Sequence, residues 1–180
     1  MTFNVFTSPK KAFEHSIEEP SIGIAIVIVL LTGIIWSALS LILLNDILSA
    51  GTIILVNLIQ WLSLGVLLFA FEIMFSKKNK HKVRADFKVA LSVVGKLWIY
   101  ALITAVLFNI FAFNAGNIIG TIAGILIFIT ALFAMYGSFI AIKVVLDAST
   151  SRALVAWFLL LVVYFLLMAV ASVITSLFLA

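Results

Sequence analysis

The chain is 180 residues long, 66% hydrophobic and only 10% charged, with a mean hydropathy of +1.36. A soluble domain carries about 45–50% apolar and about 25% charged residues, so this chain has too little polar surface to cover a soluble globule. The absence of cysteine excludes disulfides, thiolate metal sites and a thiol nucleophile, and the net charge of +4 matters less than where the charges lie.

The composition therefore predicts an all-α, polytopic integral membrane protein: a bundle of five transmembrane helices with a short N-terminal amphipathic helix. Residues 1–20 form a cytoplasmic segment, and 21–180 the membrane domain. In the first segment, SPKKAFEHSIEEP at 8–20 predicts a short helix. Ser8 suits the N-cap and Pro9 the first helical position, while Pro20 disfavours helical geometry at Glu19. Phe13 and Ile17 share one face with Ala12 beside them, and Lys10, Lys11, Glu14 and Glu18 surround the rest. This pattern reads as a helix lying on the membrane surface, with a plain solvated lead-in as the alternative.

Crossing a hydrocarbon core of roughly 30 Å takes about 20 mostly apolar residues. The uncharged stretches are 26 residues between Glu19 and Asp46, 25 between Asp46 and Glu72, 46 between Lys96 and Lys143, and 28 after Arg152. The third is long enough for two helices, and Asn114-Ala115-Gly116-Asn117 is a turn-forming break inside it. The spans fall at Ser21–Leu44, Thr52–Phe75, Val89–Phe113, Ile118–Ile142 and Ala153–Phe178. Barrel strands would alternate apolar and polar residues, whereas these runs are apolar on every face. Three acids precede the first span and its apolar run is too long for a removable signal peptide.

Between spans two and three, SKKNKHKVRADFK at 76–88 holds six of the eleven cations: Lys77, Lys78, Lys80, Lys82, Arg84 and Lys88. With five spans, Lys10, Lys11, Lys96, Lys143 and Arg152 join them on one side, and the other side carries only Asp46. Basic short loops stay in the cytoplasm, so the N-terminus is placed inside and the C-terminus outside. The same run can attract anionic lipid head groups. Nucleic-acid binding is not expected of a thirteen-residue loop held against the bilayer. In the last inner loop, Ser149, Thr150 and Ser151 are cap candidates, and Lys143 and Asp147 suit the helix dipoles beside them.

Within the spans, GNIIGTIAG at 116–124 holds two overlapping GxxxG units, Gly116, Gly120 and Gly124, continued by Ala131, Ala134, Ser138 and Ala141. Such stripes let helix backbones approach closely, in this chain's own bundle or in a homo-oligomer. Glu72 and Lys96 are the ionisable residues drawn into span-like sequence. Near the inner ends of adjacent spans, they are expected to form an intramembrane ion pair, with a transport role as the alternative. Asn57, Gln60 and Asn109 predict interhelical hydrogen bonds. Trp157 is placed at the interface and Trp36, Trp61 and Trp98 within spans.

Catalysis finds no support. His15 and His81 lie in separate surface segments, and HExxH, a paired intramembrane aspartate and GxxxxGK[ST] are all absent from the sequence. No catalytic, metal or cofactor-binding residue is assigned, so the expectation is a non-enzymatic protein needing no cofactor.

Three stretches carry a family likeness. Ser8-Pro9-Lys10-Lys11-Ala12-Phe13-Glu14 with Glu19-Pro20 resembles the opening of compact prokaryotic members of the Yip-one domain family, the Ypt/Rab-interacting membrane proteins. Phe87-Lys88-Val89-Ala90 through Gly95-Lys96-Leu97-Trp98-Ile99-Tyr100 resembles the start of their third span. Leu146-Asp147-Ala148-Ser149-Thr150-Ser151-Arg152-Ala153-Leu154 resembles the loop before their last span. The resemblance implies the five-span fold, a bacterial or archaeal plasma membrane, and a membrane-organising role through protein contacts. Eukaryotic members contact prenylated small GTPases and carry a long polar N-terminal region with a DLYGP-like motif. That motif is absent here, which leaves the GTPase partnership open. A small oligomeric transporter or channel component is the alternative, needing a hydrated path through Asn57, Gln60 and Asn109.

Overall fold

The computed structural model describes the backbone of residues 4–44, 47–75 and 86–179, with side chains except at 4, 39–40, 43–44, 167–168 and 170–179. Asp46 and the basic residues Lys77, Lys78, Lys80, Lys82 and Arg84, with His81, lie outside the described residues. The described chain is helical, in the order α1 (Asn4–Thr7), α2 (Pro9–Glu18), α3 (Ile22–Leu44), α4 (Ile47–Phe75), α5 (Phe87–Phe113), α6 (Ile118–Val145) and α7 (Thr150–Leu179). Helices α4, α5 and α6 are long and apolar enough to cross a membrane. Shorter apolar stretches run over Ile22–Ala38 in α3 and Thr150–Leu166 in α7.

The helix limits follow local chemistry. Asn114 caps the end of α5, Gly116 takes φ +87°, and the Asn117 side chain accepts from the Gly120 amide at 3.0 Å to start α6. That left-handed φ costs glycine little, so the turn falls on the Asn-Ala-Gly-Asn cluster. At the start of α5 the Asp86 carboxylate accepts from the Lys88 amide at 2.8 Å, an N-cap. Helix α4 begins at Ile47, five residues before the expected Thr52, because Gly51 is carried inside the helix rather than ending it. Helix α7 starts at Thr150, and the Lys143 ammonium donates to the Thr150 hydroxyl at 2.9 Å across the tight α6–α7 connection.

Helix α5 is the axis of the bundle, packing against α2, α3, α4 and α6. The helices are apolar all round, so hydrophobic periodicity does not choose the buried face. Side-chain size and single hydrogen bonds do. Ala90, Ser92, Gly95 and Ala105 are buried on α5. At Gly95 a Cβ would collide with the Ala25 methyl and sit 2.8 Å from the Ala25 Cα, so α3 and α5 meet there backbone to backbone. Lower down the seam the Asn109 amide donates to Ile35 O at 3.0 Å, joining α5 to α3. Trp61 of α4 donates to Leu91 O at 3.1 Å, joining α4 to α5.

At one end of the bundle the Ser21 amide donates to Ser92 Oγ at 3.1 Å, and α2 packs on α5 and α6. The N-terminal helices, the start of α5 and the α6–α7 connection therefore lie towards that end. At about 1.5 Å per residue, the 27 residues of α5 and 28 of α6 reach roughly 40 Å. A hydrocarbon core is about 30 Å thick, so both helices are long enough to cross one, and the N-terminal helices reach along α5 as far as Lys96 and Tyr100, its tenth and fourteenth residues.

The close approach at Gly95 makes a paired prediction. Gly95→Ala forces a methyl into the Ala25 backbone and is expected to destabilise the fold by about 1–3 kcal/mol, the usual cost of overpacking. Gly51→Ala meets nothing within 4 Å and should leave stability unchanged or raised, since alanine is the better helix former by about 1 kcal/mol. Thermal unfolding in detergent separates the two, and equal midpoints would remove Gly95 from the seam.

Candidate functional site

The N-terminal segment is built into the bundle rather than laid on lipid. Helix α2 is amphipathic along Ala12, Phe13 and Ser16, which are buried, with Phe13 fully so. The covering surface is α5 and α6, which corrects the expectation of a lipid-facing helix. The first half of α5 and the second half of α6 offer the wall that receives the face, with Lys96, Tyr100 and Phe133 among the contacts of the segment. Pro9 opens α2 and Glu19 closes it, while Ser8 occupies the N-cap without a side-chain cap bond.

Two polar contacts fix the segment. Lys96 Nζ donates to Ala12 O at 2.7 Å, and Tyr100 Oη donates to Val5 O at 2.8 Å. Phe6 adds edge-to-face contacts with Tyr100 and Phe133, at centroid distances of 4.9 and 5.8 Å. Lys96 thus spends its charge on a backbone carbonyl 84 residues away in sequence. The expected Glu72–Lys96 ion pair is not formed. Among the described residues Lys10–Glu14 pairs at 3.6 Å, and His15 meets Glu19 at 3.8 Å, an ion pair only when the imidazole is protonated; both are on the exposed side of α2 and worth little in water. Glu72 lies buried in the last turn of α4, and its Oε2 has no hydrogen-bond partner among the described residues.

The expected small-residue stripe divides among three tasks. Gly116 belongs to the turn and touches nothing that a Cβ would meet. Gly120 lies against the Asn114 carbonyl of its own turn, and a Cβ at Gly124 would stand 3.6 Å from the Phe111 ring of α5. Further along α6, Ala131, Ala134, Ser138 and Ala141 border a cavity of about 510 Å³.

That cavity lies over α5, between α4, α6 and α7, with Trp36 of α3 at one end. It exists because α7 packs on α6 and α4 while alanines stand where larger side chains would fill the gap. Its wall bears no charged residue. Most of the polar groups on it are turned onto protein, and the Tyr164 hydroxyl also borders it. Trp98 Nε1 donates to Asn57 Oδ1 at 3.4 Å, and Asn57 Nδ2 donates to Ile53 O at 3.0 Å. Trp157 Nε1 donates to Ser138 Oγ at 2.8 Å, and Thr104 Oγ1 donates to Tyr100 O at 2.9 Å. Gln60 is partnered as well. Trp157, expected at the interface, is half-buried and faces inward to α6. Asn109 is directed at α3 and is absent from the wall, so the structure does not bring Asn57, Gln60 and Asn109 into one polar path.

No family model, curated protein or solved structure matches the chain. Among the described residues no group of three or more His, Asp or Glu side chains could hold a metal ion.

Sequence reasoning missed the cavity and the docked segment for different reasons. Small residues signal either contact or space, and only the position of α7 decides which. Lys96 meets a main-chain carbonyl, and every residue has one. The buried Ser16, bonded to Ala12 O at 3.3 Å, was the available hint that the apolar face of α2 rests on protein.

The absence of cysteine gives the docking contacts a direct assay. In a Ser16→Cys chain, maleimide labelling of the single buried thiol is expected to be slow. Adding Lys96→Met and Tyr100→Phe removes two hydrogen bonds of about 0.6 kcal/mol or more each, so labelling should quicken by roughly fivefold to tenfold. Unchanged labelling would mean that these bonds do not hold α2 in place.

Proposed function

We propose that this is a non-catalytic, multi-pass membrane protein of the Yip-one type, which organises membrane or partner proteins through its cytoplasmic end. The carrying observation is the docked α2. A helix held by Lys96 and Tyr100 presents Lys10, Lys11, Glu14, His15, Glu18 and Glu19 as a fixed mixed-charge surface. Exposed polar groups on a rigid element suit protein recognition better than a mobile tail would. The absence of charge from the cavity wall and the spending of span polar groups on helix contacts favour a scaffold over an ion pathway.

In this reading all five apolar helices, α3 to α7, cross a bacterial or archaeal plasma membrane. The shared end of α2, the α4–α5 connection and the α6–α7 connection faces the cytoplasm, by the excess of Lys and Arg there. Lys77, Lys78, Lys80, Lys82, Arg84 and Lys88 would then meet anionic lipid head groups, each adding roughly 1 kcal/mol near the surface. Partners are other membrane proteins or a second copy, with a small GTPase kept as an open candidate.

A second reading, an oligomeric transporter component, draws on one observation. Trp36, Asn57 and Gln60 line both the cavity and a shallower groove of about 420 Å³ beside Thr52 and Val56. Solute flux in reconstituted liposomes that Gln60→Leu abolishes would favour it over the scaffold.

The topology carries its own test. A reporter active only outside the membrane is expected to work when fused near Gly51 and to fail near Asn79. The reverse pattern would place α2 outside and end the scaffold reading in this form.

A further inference from the structure

The cavity over α5 has dimensions and chemistry that specify an occupant. On α5 its wall runs from Val94 to Thr104, which at about 1.5 Å per residue spans roughly 15 Å along the helix axis. That is about half of a 30 Å hydrocarbon core, the depth of one leaflet. The volume of about 510 Å³ holds roughly 17 water-sized heavy atoms at about 30 Å³ each. A single unbranched chain of that length fits the space.

The wall chemistry points the same way. It carries no charge, and Asn57, Trp98, Thr104, Ser138 and Trp157 turn their polar groups to protein partners. A polar solute would lose its hydration and gain few hydrogen bonds in return, the Tyr164 hydroxyl being a wall group with no hydrogen-bond partner among the described residues. Water gains little in a cavity where most polar groups already hold protein partners, and apolar cavities stay dry. Ala131, at the α6 edge of the cavity, is exposed to the surroundings of the bundle. In a bilayer those surroundings are hydrocarbon.

We propose that this cavity is a binding site for one fatty acyl chain of a membrane phospholipid, held between α5 and α7 as a resident rather than an annular lipid. The aromatic side chains of Trp36, Trp98 and Trp157 form part of the wall, so the occupant lies against three of the four tryptophans in the chain. The fourth, Trp61, is buried against Leu91 and apart from the cavity.

This geometry supplies the readout. Full-length protein purified in detergent is expected to retain one phospholipid per chain by native mass spectrometry. After delipidation, phosphatidylcholine brominated in mid-chain should quench tryptophan fluorescence and saturate at one equivalent. Ala134→Phe fills the cavity from α6 and should weaken saturable quenching by about tenfold or more, with the thermal midpoint held or raised. If that variant fails to fold, the wild-type stoichiometry still decides. Quenching that rises with lipid mole fraction and never saturates, with no lipid retained, would overturn the proposal. So would retention of a polar solute in place of the lipid.

Discussion

The backbone contact between Gly95 of α5 and Ala25 of α3 is the constraint on which the rest of the bundle rests. Apolar helices gain little by turning away from hydrocarbon, which is itself apolar. Close packing and hydrogen bonds that lipid cannot supply must hold them together. Once α3 and α5 touch at Gly95, Ile35 O comes within reach of Asn109, and Ala25 is buried beside Trp61. The Trp61–Leu91 bond then sets α4 against the same helix. Each later contact uses the surface of α5 that the first one leaves free.

Helix α6 completes this arrangement through a covalent neighbour. The Asn114–Asn117 turn is short, so α6 returns beside α5 with Gly124 against Phe111 and Gly137 against Tyr100. A Cβ at residue 137 would stand 2.7 Å from the Tyr100 ring. Glycine there leaves room for the tyrosine to reach across and meet Val5. The chain's first helices are thereby held by its third long one. Helix α7 has no comparable short turn to α5 and no glycine facing it among the described residues, and the space between them stays open.

Much of this order was legible in the sequence, and the limits of legibility are physical. Charge spacing located the apolar helices because an ionised side chain in hydrocarbon is costly at any position. The Asn-Ala-Gly-Asn cluster located a turn because a left-handed residue favours glycine. Partner choice was not legible. Glu72 and Lys96 have opposite signs and lie on adjacent helices, yet Lys96 is nearer to Ala12 O than to Glu72. Sign and spacing constrain depth along a helix axis, and rotation about that axis escapes them when all faces are apolar. The same ambiguity hid the cavity, since Ala131, Ala134 and Ala141 would look identical in a tight seam.

Tyr100 joins the two features that distinguish this bundle. Its hydroxyl holds Val5 of the N-terminal segment, while its ring forms part of the cavity wall. The ring packs beside Phe6 and Gly137 as well as bordering the cavity. The docked helix and the cavity are thus parts of one packing problem, solved around a tyrosine for which Gly137 makes room.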